Sequence, residues 1–91
     1  MTTPASPLQQ RVLSALASLG NPDELWFYLD AIARAAKVDR REARLAVRAL
    51  TRKGYASYER LFDDDGHTAG SGYGITREGW TALALMEPDR A

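Results

Sequence analysis

The chain contains no cysteine and a single histidine, His67. Without thiols, neither a disulfide nor a thiolate metal site can staple the fold, a usage compatible with a reducing cytoplasm. One histidine and no cysteine leave a nucleophile-and-base pair without candidates, so neither an enzymatic activity nor a cofactor is expected. Long apolar runs are missing as well: none approaches the roughly 20 residues of a membrane span. The start, Met1 to Pro7, has no basic region followed by an apolar stretch, so no secretion signal is expected and the cytoplasm is the default location. Excess charge of one sign is absent too, with 12 basic residues against 12 acidic ones.

That neutrality hides a strong segregation. Residues 31–60 hold nine basic side chains (Arg34, Lys37, Arg40, Arg41, Arg44, Arg48, Arg52, Lys53, Arg60) against Asp39, Glu42 and Glu59. The middle of the chain is therefore strongly cationic and the remainder equally anionic. Exposed charges are screened beyond about 8–10 Å, so a neutral protein of this kind still presents a positive face.

At 91 residues, 45% of them apolar, the chain suffices for one small domain with a modest core. The expected division is a flexible N-terminus over 1–6, a domain over 7–86 and a flexible C-terminus over 87–91. Ser6, Pro7 and Gln9 form a capping box with proline at the first helical position. Leu8, Val12, Ala15, Leu16 and Leu19 then follow helical spacing, and Gly20-Asn21-Pro22 ends the run. Residues 23–28 read as a short strand or as a turn into the next helix. Trp26, Phe27 and Tyr28 are consecutive and have acidic neighbours, which suits core packing better than a base-stacking platform.

A second helix is predicted over 29–37, with Leu29, Ile32, Ala33 and Ala36 on one face. After the turn Lys37-Val38-Asp39, a second capping box (Asp39 with Glu42) opens a third helix that runs to Lys53 and stops at Gly54. The period then changes. A strand is predicted over 55–62, a turn-rich loop over 63–72, and a short returning strand over 73–76. Thr76 caps a last helix, with Ile75 and Trp80 spaced for a hydrophobic staple. Leu16, Ile32, Val47, Leu50, Tyr55 and Trp80 are the expected core. The fold class is α+β and mainly α: a three-helix bundle, a two-stranded β wing and a short C-terminal helix.

The third helix carries the functional signal. At about 100° per residue, Arg44, Arg48 and Arg52 fall within roughly 60° of Arg41. Ala43, Ala46, Val47 and Leu50 gather on the opposite side. Leu45 and Ala49 flank the stripe, placed to touch thymine methyls. Arginine on a helix can be a merely solvated face, but such faces usually interleave Glu with Lys or Arg at i,i+4. Between Ala43 and Lys53 there is no acid. A stripe of this kind suits the major groove, where arginine pairs with guanine edges or phosphates. Arg40, Arg41, Arg44, Leu45, Arg48 and Arg52 are therefore the candidate contacts to double-stranded DNA.

Ile32-Ala33, Ala36, Val38-Asp39, Ala43, Val47, Leu50 and Lys53-Gly54-Tyr55 resemble the helix-turn-helix core of winged-helix transcription regulators. Tyr73-Gly-Ile-Thr76-Arg-Glu-Gly79, with Leu83 behind it, resembles the strand and helix start that follow the wing in MarR-like and PadR-like proteins. The resemblance implies a recognition helix at 39–53, a wing tip at 63–72 and regulation of transcription. Two departures stand out. Asp63, Asp64 and Asp65 occupy the wing tip where many DNA-binding wings carry Lys or Arg, so phosphates would repel it. The last helix is shorter than the dimerisation helices of MarR-like proteins, leaving helix 1 or the aromatic segment 25–28 to supply any homodimer contact. The rival function is a winged-helix module for protein–protein interaction, an adaptor or inhibitor using the acidic wing at 63–65. Asp63, Asp65 and His67 also have the composition to gather a divalent ion, but the calcium-loop pattern lacks its closing Glu, so no metal is expected.

Overall fold

The Ser6 hydroxyl accepts the Gln9 amide at 3.1 Å, and the Gln9 side chain accepts the Ser6 amide in return. This capping box opens α1 (Pro7–Leu19) in the computed structural model, which describes residues 5–86. The expected flexible stretches at 1–4 and 87–91 lie outside the described residues; Ala5 is buried and Ser6 is engaged in the cap. Next come α2 (Leu29–Ala36), α3 (Arg40–Arg52), β1 (Ala56–Phe62), β2 (Thr68–Ile75) and α4 (Arg77–Met86).

α2 ends one residue earlier than the sequence predicts, because Lys37 takes a left-handed conformation with φ 59°. Its amide and that of Val38 turn back to the carbonyls of Arg34 and Ala33, closing the helix. Two residues later Asp39 accepts the Glu42 amide at 2.7 Å and starts α3. Helix α3 stops as glycine dictates. Gly54 sits at φ 82°, so the Tyr55 amide reaches the Leu50 carbonyl and the Gly54 amide reaches Thr51.

Val12, Leu13 and Leu16 of α1, Ile32 of α2, Val47 and Leu50 of α3 and Ile75 of β2 are fully buried. Each such side chain contributes about 1.5–3 kcal/mol of transfer free energy. Tyr55 packs against this core only in part. Trp80 does not join it and is 42% exposed. Gly79 and Leu83 form the inward stripe of α4, and Trp80 stands about 100° around the helix from Gly79.

The wing also departs from expectation. β1 and β2 pair antiparallel from Ala56↔Ile75 to Phe62↔Thr68, with an irregularity between Arg60 and Phe62. The returning strand thus begins at 68, not 73, and the loop shrinks to 63–67. The glycines read as loop signals lie inside β2 for another reason. The chain entering α2 crosses β2 so closely that a Cβ on Gly72 would lie 2.9 Å from the Phe27 carbonyl oxygen, and one on Gly74 would strike that of Leu25. Phe27 and Tyr73 exchange both amide–carbonyl hydrogen bonds at 2.9 Å, and Asp23 donates to Ile75. Of the two readings for residues 23–28, neither holds alone: a turn at 22–24 is followed by an isolated bridge at Phe27 before α2 begins. Phe27 packs on the core, Trp26 is half-buried, and Tyr28, expected inside, is 50% exposed.

Candidate nucleic-acid interface

Helix α3 is two-faced. Ala43, Ala46, Val47 and Leu50 are buried, while Arg40, Arg41, Arg44, Leu45, Arg48 and Arg52 are all exposed. The small alanines bring α3 close to α1 and α2 and turn the opposite face outward. Leu45 is 56% exposed within that face, and Ala49 is half-buried at its border.

One member of the set differs from the others. Arg40 Nε lies 3.1 Å from Asp30 Oδ1 on the first turn of α2, both side chains largely open to solvent. Neither ion pair found among the described residues involves Arg41, Arg44, Arg48 or Arg52. An exposed pair contributes at most about 1 kcal/mol, so Arg40 is held loosely. Lys53 is directed elsewhere: its ammonium donates to the Gln9 side chain at 2.7 Å, tying the end of α3 to the start of α1.

The structure adds a feature that the sequence did not disclose. A cleft of about 470 Å³ opens between α3 and the sheet, with Arg40, Arg44 and Arg48 on one wall and Tyr28, Tyr58 and Tyr73 on the other. The Tyr28 hydroxyl donates to the Ala69 carbonyl at 2.6 Å. Tyr58 and Tyr73 meet edge to face with ring centres 5.3 Å apart, and Tyr58 is half exposed. These aromatics are separated by 15 to 45 positions in sequence, so no local spacing announces them.

The wing tip is acidic and internally bonded. Asp63 Oδ1 accepts the amides of Asp65 and His67, and the Asp63 amide donates to the His67 carbonyl. Asp63, Asp65 and His67 bring one ligand atom each within 4.8 Å of one another, all three exposed. The loop's own hydrogen bonds already account for the position of Asp63. No helix among the described residues is long and apolar enough to cross a membrane.

No protein-family model and no curated protein sequence matches the chain. Solved structures do. A small protein of Ralstonia eutropha with a provisional DNA-binding assignment superposes at TM-score 0.68, with 22% identity over 89% of this chain and 95% of that one. A MarR-family transcriptional regulator from Silicibacter pomeroyi gives TM-score 0.68 and 19% identity, covering 91% of this chain and 50% of its own. BpsR of Bordetella bronchiseptica, whose DNA binding is regulated by 6-hydroxynicotinic acid, gives 0.70 and 19%, covering 93% and 58%. The chain spans about half the length of the MarR-family regulators it matches. Its fold is the winged helix-turn-helix.

Proposed function

We propose that this winged helix-turn-helix domain binds double-stranded DNA by laying α3 in the major groove, and that it regulates transcription. The observation that carries the reading is the exposed stripe Arg41, Arg44, Arg48 and Arg52, with no acid on the helix beyond the capping residue Glu42 in its first turn. Arg44 and Arg48, one turn apart at its middle and on the wall of the tyrosine-lined cleft, read base edges. Arg41 and Arg52 at the ends meet phosphates, and Leu45 reaches thymine methyls. Arg40 joins the phosphate contacts when it leaves Asp30. The acidic tip at 63–65 stays off the backbone.

The test is binding to duplex DNA across a salt series. Phosphate contacts make log affinity fall linearly with log salt. Arg44→Ala and Arg48→Ala each lose about 1–3 kcal/mol of affinity and relax preference at one base pair. Arg41→Ala or Arg52→Ala weakens all sequences alike and lowers the salt slope by about one unit. Exposed arginines barely affect stability, so melting curves separate folding from binding. Folded Arg44→Ala and Arg48→Ala proteins that bind DNA as tightly as the parent would overturn the reading.

A further inference from the structure

We propose that the cleft between α3 and the sheet holds a segment of single-stranded DNA, with phosphates on Arg40, Arg44 and Arg48 and bases against Tyr28, Tyr58 and Tyr73. A single-strand site combines a cationic track for the backbone with aromatic faces on which bases stack. The consecutive aromatics at 26–28 do not make such a platform. The fold makes one by bringing Tyr28 beside two tyrosines of the hairpin. Tyr58 and Tyr73 are register partners on β1 and β2, their ring centres 5.3 Å apart and their planes at 68°. Such an edge-to-face pair covers one face of one ring only, and Tyr58 is 51% exposed. Tyr28, 50% exposed, is held at both ends. Its hydroxyl donates to the Ala69 carbonyl at 2.6 Å, and its ring lies against Gly70, where a Cβ would come within 3.2 Å. Aromatics that are already ordered lose little freedom when a base stacks on them.

The opposite wall is the cationic track. Arg40, Arg44 and Arg48 are spaced i,i+4 and form one ridge of α3, each about 6 Å of rise beyond the last. Arg41, Leu45 and Arg52 lie farther around the helix and do not line the cleft. Asp30 is the acid among the lining residues, and Arg40 holds it at 3.1 Å. Arg44 and Arg48 therefore leave the cleft positive. Arg60, exposed two positions beyond Tyr58 on the same face of β1, adds to that charge. A duplex cannot use the tyrosines, because its bases are already paired and stacked on one another. An unpaired strand offers a π-face at every base. At about 470 Å³ the cleft falls in the range of small-ligand sites, so it admits unpaired nucleotides and not a double helix. The strand is assigned as DNA because the cleft adjoins the face of α3 that binds the duplex, the one point that rests on the major-groove reading. The two modes share Arg44 and Arg48 and so compete.

The test is fluorescence anisotropy of the full chain with a labelled thymidine strand about 12 nucleotides long. The strand is expected to bind saturably, and an abasic strand of the same length about tenfold or more weaker, as loss of stacking dictates. Tyr58→Leu, at an exposed site, weakens the thymidine strand by about tenfold and leaves duplex affinity unchanged. Tyr58→Phe keeps the ring and binds like the parent. Arg41→Ala does the reverse of Tyr58→Leu, weakening the duplex alone. Melting curves establish that each variant is folded, and unlabelled duplex displaces the strand. The inference is overturned if the abasic strand binds as tightly as the thymidine strand, because phosphate attraction alone then accounts for binding. A folded Tyr58→Leu protein that binds the thymidine strand like the parent overturns it equally. A uridine strand bound about tenfold or more tightly than the thymidine strand overturns the assignment to DNA. A parent that binds the strand but no duplex refutes the major-groove reading and leaves the cleft as a single-strand site.

Discussion

Thr76 and Gly54 are joined by a hydrogen bond that ties the end of one helix to the beginning of another. The Thr76 hydroxyl donates to the Gly54 carbonyl at 2.7 Å and accepts the Gly79 amide at 3.0 Å. One side chain therefore caps α4 and fixes it to the turn that closes α3. The Thr76 amide also bonds the Tyr55 carbonyl, so the whole junction is set by polar contacts beside the core. Thr76→Val keeps the shape and removes both hydroxyl bonds. Loss of the cap and of a satisfied carbonyl should destabilise by about 1–2 kcal/mol. Chemical denaturation of the two proteins checks this, and an unchanged midpoint would refute the junction's role.

Lys37 gives a prediction of opposite sign. It holds φ 59° in the turn between α2 and α3, a conformation that costs a residue with a side chain about 1–2 kcal/mol. Glycine pays no such penalty but loses more backbone entropy, about 0.5–1 kcal/mol. Lys37→Gly should therefore stabilise by up to about 1 kcal/mol. A melting temperature below the parent's would show that the lysine makes compensating contacts.

Asp30 is the acid that faces the arginine wall of the cleft and holds Arg40. Asp30→Asn releases that guanidinium and removes a charge that phosphates would meet. Affinity for duplex DNA should rise several-fold at low salt, and the salt slope should steepen by about one unit. Titrations at three or more salt concentrations measure both quantities. A slope equal to the parent's would place Arg40 outside the interface.

The three wing aspartates are not equivalent. Asp63 builds the loop through the amides of Asp65 and His67, whereas Asp64 and Asp65 are exposed. Asp64→Asn with Asp65→Asn should strengthen non-specific DNA binding and leave stability within about 0.5 kcal/mol of the parent. Asp63→Ala should cost about 1 kcal/mol, having lost an acceptor shared by two amides. Comparing the two variants by melting and by DNA titration separates charge from architecture.

How far the sequence could be read follows from where each signal lies. α1 and α3 were legible nearly to the residue because their capping boxes, apolar spacing and terminal glycines are all local. The arginine stripe was legible for the same reason, since its alignment depends only on helical period. The Asp30–Arg40 pair depends on how α2 crosses α3, and the tyrosine wall on how the sheet meets both. Neither relation is written in any one segment. The start of β2 was misplaced because Gly70 and Gly72 look like turn residues. One sits at φ 103° inside the strand and the other makes room for Phe27. Trp80 was misplaced because α4 lacks a polar side beyond its first turn, so its sequence offers no sign of which face turns inward.

The reciprocal bridge between Phe27 and Tyr73 changes what the hairpin can do. A lone two-stranded hairpin is marginal in water and opens readily. Here its second strand is latched to the segment that enters α2, so opening its base requires that segment to lift as well. Segmental opening of this kind is governed by the cooperative unit to which a strand belongs. The base of the hairpin therefore belongs to the same unit as the helices, and its amides should exchange with solvent as slowly as theirs. The five-residue tip, 63–67, held by its own short-range hydrogen bonds, lies outside that unit. A force applied at the tip reaches the start of α2 through two amides.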